Sequence, residues 1–221
     1  MRVVENPYYP GMTIIEGVDR IDFHCKRCGG CCRYRGDITL FPQDIPRIAK
    51  HLGLKSGDDF LQNYAEKVFI KGKPTFYKYV IKAKSDNLKT CILYDEEKKA
   101  CKIHEAKPPA CFFFPFVTND YRKIDSECVI EDAPCIQESE LGKGKKLIEY
   151  VKANPLYEEE FDIRMRFERL FVELKVKQFS HMNKALYSAI SKRLFEGYSI
   201  TDGKKEVEER LNDAEEWAIF I

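Results

Sequence analysis

The chain has 221 residues, a formal net charge of +1 and 33% charged residues. This near-zero charge gives no general attraction to nucleic acid or to an anionic membrane surface, so neither partner is indicated. A chain of this length can bury a hydrophobic core without disulfides, which argues against a small disulfide-bonded scaffold. The longest apolar run, 111–117, is too short to span a membrane. The N-terminal segment has no apolar stretch of the kind that export signals contain, so we expect a cytoplasmic protein.

The first seventy or so residues favour extended segments followed by two short helices. Prolines and a glycine among residues 7–11 favour extended structure over residues 1–22. Helical periodicity predicts a helix over 43–52. Ser56 and Asp59 resemble a capping box, which predicts a second helix that runs to about residue 67.

The middle of the chain has the pattern of strands. Aromatic and β-branched residues predict a strand over 75–83. Residues 91–104 predict a β-hairpin whose polar turn brings Cys91 and Cys101 close together across the two strands. A further strand is indicated over 120–129.

The sequence pattern changes after about residue 137, where charged segments with helical periodicity begin. These segments are 138–152, 155–179, 181–195 and 202–219. We therefore predict an α+β fold with two parts. Residues 1–136 form a small cysteine-rich metal-binding domain with short helices and a β-hairpin, and residues 137–221 form a helical extension.

Four of the nine cysteines lie within eight consecutive residues. They are Cys25, Cys28, Cys31 and Cys32, and a Gly-Gly pair lies between the second and the third. Thiolates packed so closely repel one another unless a cation holds them. In a reducing compartment, clustered cysteines are metal ligands more often than disulfides. The sequence therefore predicts that this part of the chain binds metal.

The spacing of the run favours an iron–sulfur cluster, with zinc as the alternative. Cys25, Cys28 and Cys31 are each separated by two residues, as in the first part of the bacterial ferredoxin run. A four-iron cubane cluster (4Fe-4S) accepts three ligands from one loop, because its iron corners are separate. A single zinc ion more often takes two ligands from one loop and two from elsewhere. The run departs from the ferredoxin pattern at Cys32, which is adjacent to Cys31 and is not followed by Cys-Pro.

The remaining ligands are expected from later in the chain. Cys91, Cys101 and Cys111 are the best candidates, since the predicted hairpin delivers two of them together. Neighbouring side chains usually diverge, so Cys32 is expected to serve a second centre or to lie behind the first. Cys135 is an intermediate case.

Other side chains near these cysteines have more than one interpretation. Cys128 is interpreted as a core thiol. His24 and His104 are close enough in sequence to chelate, although a surface or core histidine is the more common case. Cations around the run would offset the negative charge of a thiolate centre, and the alternative is that they bind an anionic substrate. These cations are Lys26, Arg27, Arg33 and Arg35.

Residues 20–136 resemble the CxxCxxCC cysteine-cluster family, a family of zinc- or iron-chelating domains often labelled iron–sulfur-cluster-containing proteins. The resemblance begins at Phe23 with the four-cysteine run and continues through Leu40 and Asp44. It resumes at Cys101 in the segment Cys-Lys-Ile-His-Glu-Ala-Lys-Pro-Pro-Ala-Cys-Phe-Phe-Phe-Pro-Phe. The chain departs from the family at three places: His104 replaces a usual Tyr, Lys107 replaces a usual Arg, and the Cys-Pro-Gly expected near Cys135 is missing.

The resemblance implies metal binding and says little about the reaction. The implied ligands are Cys25, Cys28, Cys31, Cys32, Cys91, Cys101 and Cys111, and we include Cys135 among the candidates. Some members are related to flagellin lysine methylases, which makes protein modification an alternative activity. The sequence contains no glycine-rich strand-to-helix loop for a nucleotide or for S-adenosylmethionine.

Three functions are compatible with these features. The first is an iron–sulfur protein that transfers electrons or takes part in a modification reaction, with a protein substrate or a redox partner. The second is a zinc-stabilised binding module or adapter without catalysis. The third is a metallochaperone or metal sensor, because surplus cysteines suit the exchange of a soft metal.

Overall fold

The computed structural model describes residues 1–5, 13–25, 27, 29–33, 38–117, 128–131, 133–153, 156, 160–201 and 203–221. Small antiparallel sheets and helices alternate along these residues, and the C-terminal region is mainly helical, so the predicted α+β class is confirmed. Cys28 and most of the predicted strand at 120–129 lie outside the described residues.

The elements have the following bounds. The strands are β1 (Arg2–Glu5), β2 (Thr13–Glu16), β3 (Arg20–Asp22), β4 (Ala65–Ile70), β5 (Lys73–Ile81), β6 (Tyr94–Asp95), β7 (Ala100–Cys101), β8 (Phe116–Val117), β9 (Cys128–Ile130), β10 (Glu140–Leu141) and β11 (Lys145–Lys146). The helices are α1 (Asp44–His51), α2 (Gly57–Tyr64), α3 (Pro109–Phe112), α4 (Pro134–Gln137), α5 (Leu147–Lys152), α6 (Phe161–Val176), α7 (Lys184–Phe195) and α8 (Gly203–Ala218). Short 3-10 turns form at Gly30–Cys32 and His104–Ala106.

The N-terminal segments are extended, as the sequence predicts. Strands β1 and β2 belong to a four-stranded antiparallel sheet with the order β1-β2-β9-β8. Strand β3 lies between β10 and β11 in a second sheet. The chain reaches the cysteine run directly after β3, so these two sheets position the start of the run.

Two predicted elements form with one changed boundary. Helix α1 buries the apolar face formed by Ile45 and Ile48. Helix α2 begins at the predicted cap, where Ser56 Oγ accepts a hydrogen bond from the Asp59 N–H at 3.1 Å. It ends at Tyr64 rather than near residue 67, because Ala65 begins β4, which pairs with β5 from its first residue. Strand pairing overrides the local helical pattern here.

The first predicted C-terminal helix is only partly helical. Residues 140–146 form the strands β10 and β11, and the helix α5 begins at Leu147. Gly144 has φ +75°, and a Cβ there would lie 2.6 Å from the Ile21 carbonyl oxygen. A glycine is therefore needed where this hairpin passes the backbone of β3. The other three predicted helices correspond to α6, α7 and α8.

Two clusters of buried side chains form the interior. The larger contains residues from α1, β5 and the helices α6 to α8, and the smaller surrounds Ile21, Phe116 and Leu147. The larger cluster draws residues from both sides of the boundary predicted at 136, and that boundary stays a prediction. Within the described ranges, no helix combines the length and the apolar character that crossing a membrane requires.

Candidate metal centre

Every cysteine whose side chain the structure describes lines a single cavity of about 160 Å³. These are Cys25, Cys31, Cys32, Cys91, Cys101, Cys111 and Cys135. None of these seven forms a disulfide. The cavity lies where the two buried clusters meet, because Cys32 and Cys91 belong to the larger and Cys135 to the smaller. The sequence predicted the thiols, and the packing of two separate clusters brings them together.

The cysteine run curls tightly around one side of the cavity. Its backbone takes left-handed conformations at Arg27 (φ 54°) and Gly29 (φ 78°) before the 3-10 turn. A Cβ on Gly29 would lie 2.4 Å from the Tyr94 ring, so only glycine fits this close approach. The sulfurs of Cys31 and Cys32 lie 4.0 Å apart. The expected divergence of these neighbours is therefore wrong, because both side chains turn toward the cavity.

The second group of thiols comes from the hairpin region, but not in the predicted register. Strand β6 pairs Tyr94 with Cys101, so Cys91 does not lie opposite Cys101. The Asp95 side chain accepts hydrogen bonds from the backbone N–H groups of Glu97 and Lys98, and these bonds close a tight turn. Each strand of the hairpin is therefore only two residues long. Cys91 instead donates its N–H to the Cys32 carbonyl at 2.7 Å. This bond ties the segment before the hairpin to the cysteine run, and both thiols still reach the cavity.

The last two thiols of the cavity are carried by short helices. Cys111 lies in α3 and Cys135 in α4, and each helix has a proline at its start. Proline pre-sets the backbone for a first helical turn and lacks an N–H that would be unsatisfied there. Cys135 is 9% exposed and packs in the smaller cluster. The side chain of Cys128, interpreted from the sequence as a core thiol, lies outside the described residues.

The thiols perturb one another electrostatically. Hydrogen bonds to Cys101 and Cys31, followed by burial, raise the pKa of Cys32. The same bond from Cys32 lowers the pKa of Cys101, so the proton is held on Cys32 and the thiolate is favoured at Cys101. Burial raises the pKa of Cys91 to about 11. If all these thiols lost their protons, the neighbouring negative charges would repel one another. Full deprotonation therefore requires a bound cation that compensates the charge.

The donor set fits a soft metal centre in its chemistry. In the described part of the chain, no three cysteine, histidine or carboxylate side chains are placed so that they could hold one ion. The sulfurs approach in pairs instead, at 4.0 Å for Cys31 and Cys32. Two thiolates on one tetrahedral zinc ion stand about 3.8 Å apart, given Zn–S bonds of about 2.3 Å. Shifts of a few tenths of an ångström would bring this pair to ligand spacing.

Apolar and cationic side chains complete the cavity wall. The apolar part consists of Phe23, Ile38, Ile81, Ile103, Phe112, Phe114, Phe116 and Tyr150. Arg27 and Lys107 contribute positive charge. Among the cations singled out in the sequence, Arg33 pairs instead with Glu96 at 3.5 Å, and Lys26 and Arg35 lie outside the described residues. The wall therefore surrounds the buried thiols with apolar side chains and places charges opposite to those of thiolates at the cavity.

The structure separates the two histidines near the cysteines. His104 lines the cavity, and its Nε2 lies 3.9 Å from the Cys25 sulfur. His24 pairs with Asp22 at 3.3 Å, and its side chain is 83% exposed. The more common case, a surface or core histidine, applies to His24. It does not apply to His104, which lines the cysteine cavity. The available signal was the three-residue spacing from Cys101.

Comparisons with known proteins agree with this site. A stretch of 96 residues is 31% identical to a protein from Methanocaldococcus jannaschii named "Uncharacterized protein MJ0661", covering 43% of this chain and 46% of that protein. The match thus spans less than half of this relative. No solved structure gives a significant match. Residues 24–129 match the model of the family CxxCxxCC, described as "Putative zinc- or iron-chelating domain". Over these residues the chain is therefore similar to the CxxCxxCC family.

Proposed function

We propose that this domain holds an iron–sulfur cluster in the cysteine-lined cavity and exchanges single electrons with a protein partner. The observation that carries the proposal is the convergence of seven cysteines on one cavity of about 160 Å³. These thiols come from the run after β3, the segment before β6, the strand β7 and the helices α3 and α4. Sulfur ligands of this number and origin suit a centre larger than one ion.

The size of the cavity supports a group of several atoms. One structural zinc ion needs four ligands, fewer than the seven cysteines that line this cavity. The thiols beyond those four and the volume of about 160 Å³ leave room for a centre of more than one ion.

The wall residues suit redox chemistry. When bound, a cluster of this kind supplies one-electron oxidation and reduction. Aromatic side chains lower the polarity around the buried thiols Cys32, Cys91 and Cys135. Arg27 and Lys107 offset the negative charge of the thiolates, which raises the reduction potential.

The rim of the cavity suits a protein partner. Cys25 is exposed, and the Arg27 side chain is 61% exposed, so one edge of the site lies at the surface. We propose that a protein redox partner docks at this edge, with electrons passing between it and the cluster. A modification reaction on a protein substrate is the alternative use of the same edge. The number of reduced thiols supports a cytoplasmic location as part of this proposal.

Metal analysis of protein prepared without oxygen tests the proposal. We expect iron and acid-labile sulfide in comparable amounts, with visible absorbance that bleaches on reduction. Cys32→Ser and Cys101→Ser are each expected to lose most of the iron while keeping their far-ultraviolet circular dichroism. Cys128→Ser is expected to keep the iron, because Cys128 is interpreted from the sequence as a core thiol. A colourless wild-type protein that carries zinc alone would contradict the cluster.

Zinc is the second candidate, and a specific distance favours it. The Cys31 and Cys32 sulfurs lie 4.0 Å apart, close to the spacing of two thiolates on one zinc ion. A zinc-stabilised binding module predicts full zinc occupancy, no visible absorbance and unfolding on chelation. Iron with sulfide in the freshly prepared protein would contradict this candidate.

A further inference from the structure

We infer that His104 is a nitrogen ligand of the metal centre, bound through Nε2 at its exposed edge and sharing one ion with Cys25. Such sharing requires a metal that takes two protein ligands, as in a two-iron cluster or a single ion, and not a corner of a four-iron cubane. This inference rests on the proposed function, because it presumes that the cavity holds a metal.

The distance between the two side chains supports shared ligation. The Cys25 sulfur and His104 Nε2 are 3.9 Å apart, and both line the cavity. A thiolate and an imidazole on one tetrahedral ion stand about 3.5 Å apart, given metal–sulfur and metal–nitrogen bonds of about 2.3 and 2.0 Å. A shift of about 0.4 Å would bring the pair to ligand spacing.

The other ring nitrogen fixes the tautomer. His104 Nδ1 lies 2.9 Å from Glu105 Oε1, and a carboxylate can only accept a hydrogen bond. The proton of the neutral ring therefore sits on Nδ1, and the lone pair of Nε2 faces Cys25. Arg27 Nη2 donates to the same oxygen at 3.2 Å and holds Glu105 in place. A carboxylate behind a histidine is the usual support of a histidine that binds metal.

Two of the other described histidines lack this arrangement and serve as controls. The His24 side chain is 83% exposed and pairs with Asp22. His51 Nε2 lies 3.1 Å from the Lys102 carbonyl oxygen, on the exposed side of α1. Neither residue lines the cavity.

Replacing a thiolate by a neutral imidazole has a clear consequence. The centre carries one negative charge fewer, and histidine in place of cysteine raises the potential of iron–sulfur centres. The exposed edge would then differ chemically from the buried side formed by Cys32 and Cys91. Because this edge lies at the surface, Cys25 and His104 would be the ligands nearest to a docked partner.

X-ray absorption at the metal edge tests the inference on the full chain, prepared without oxygen, without imidazole and without a polyhistidine tag. We expect the wild type to show sulfur neighbours and one nitrogen at about 2.0–2.1 Å, with the outer-shell scattering of an imidazole ring. His104→Ala is expected to lose that nitrogen, and His24→Ala to keep it. His104→Cys is expected to restore full metal content with sulfur neighbours only, which separates the loss of a ligand from a failure to fold.

The outcomes distinguish the two proposals. A wild-type protein that binds no metal would overturn the proposed function. A metal-loaded wild type with an all-sulfur shell, or a His104→Ala variant that keeps the imidazole signal, would overturn the assignment of His104 alone.

Discussion

Asp44 is a buried carboxylate at the first position of α1. It accepts the Phe41 N–H at 2.7 Å and pairs with Arg47, which also pairs with Glu160. Burial raises the pKa of Asp44 to about 7, and the attraction of Arg47 offsets only part of this effect. The carboxyl group is therefore more easily ionised in the unfolded chain than in the folded protein.

The shift predicts how stability depends on pH. Since the folded-state pKa is raised above the unfolded value of 3.8, the contribution of Asp44 is fully present below about pH 4 and is lost as pH rises to about 7. The loss is at most about 4 kcal/mol, at about 1.4 kcal/mol per pKa unit. Asp44→Asn should therefore gain stability relative to the wild type between about pH 5 and pH 8 in urea unfolding. If the free energy of unfolding of the wild type rises relative to that of Asp44→Asn over this range, the raised pKa of Asp44 is contradicted.

The close contact between Gly29 and the Tyr94 ring predicts that one added methyl group lowers the metal content. Gly29→Ala places a Cβ 2.4 Å from the Tyr94 ring, at φ +78°. We expect the cysteine run to shift and metal content to fall several-fold, as measured by elemental analysis of the folded protein. Gly72→Ala is the matched control, because Gly72 has φ +77° with nothing within 4 Å of the added Cβ. It should cost only about 1–2 kcal/mol of backbone strain and keep its metal. Equal metal content in the two variants would contradict the close fit.

At the scale of elements, one carboxylate joins the β4–β5 hairpin to the end of α7. Glu196 Oε1 accepts hydrogen bonds from Lys67 at 2.9 Å, Tyr77 at 2.7 Å and Tyr79 at 3.0 Å. The Lys67 ammonium also lies 4.0 Å from the centre of the Tyr77 ring. Three donors from two strands thus meet on one acceptor next to the helix.

Removal of this acceptor should loosen the hairpin. Glu196→Ala leaves two tyrosine hydroxyls without their acceptor, and we expect the free energy of unfolding to fall by about 1–3 kcal/mol. Glu196→Gln keeps an acceptor and should lose less. Glu208→Ala is the control, because its pair with Lys204 at 3.9 Å is largely exposed and is worth at most about 0.5 kcal/mol. Similar urea midpoints for Glu196→Ala and Glu208→Ala would argue against the network.

Local patterns predict elements where local forces decide the structure. Helix α1 and the cap at Ser56 follow from periodicity and capping alone. The strands β10 and β11 do not, because two-residue strands exist only through pairing with β3, more than a hundred residues earlier. The polar run that begins at Asp95 predicts the turn of the hairpin, but the register that pairs Tyr94 with Cys101 follows from the hydrogen bonds that the turn forms.

At the scale of the whole molecule, the C-terminal helices pack on the same core as the cysteine-rich part. Phe167 of α6 lies 5.4 Å from the Phe41 ring and 5.7 Å from the Phe195 ring, centre to centre. The ring centre of Phe76 in β5 lies 4.8 Å from that of Phe171 and 5.3 Å from that of Tyr187. This shared core predicts that the two parts unfold together.

Two signals report on the two parts separately. The chain has one tryptophan, Trp217 in α8, and thiolate-to-metal charge transfer reports on the cavity. We expect both signals to change at the same urea concentration. Phe167→Ala should lower both midpoints together, with a loss of about 3–5 kcal/mol. Separate transitions, or a shift in the Trp217 signal alone, would show that the parts fold independently.

The site itself was only partly predictable. The four-cysteine run indicates metal binding, because its cysteines lie close together in the sequence. The places of Cys135 and His104 on the cavity depend on how the two buried clusters pack, and no local pattern encodes that packing. Tertiary contacts, more than spacing, complete the set of donors.

Native mass spectrometry of the intact chain, prepared without oxygen, tests most directly whether these thiols hold an inorganic centre. We predict a mass above that of the chain by iron and sulfide ions, or by zinc ions under the alternative, and loss of this increment in Cys32→Ser. The bare mass of the folded chain under these conditions would contradict the account.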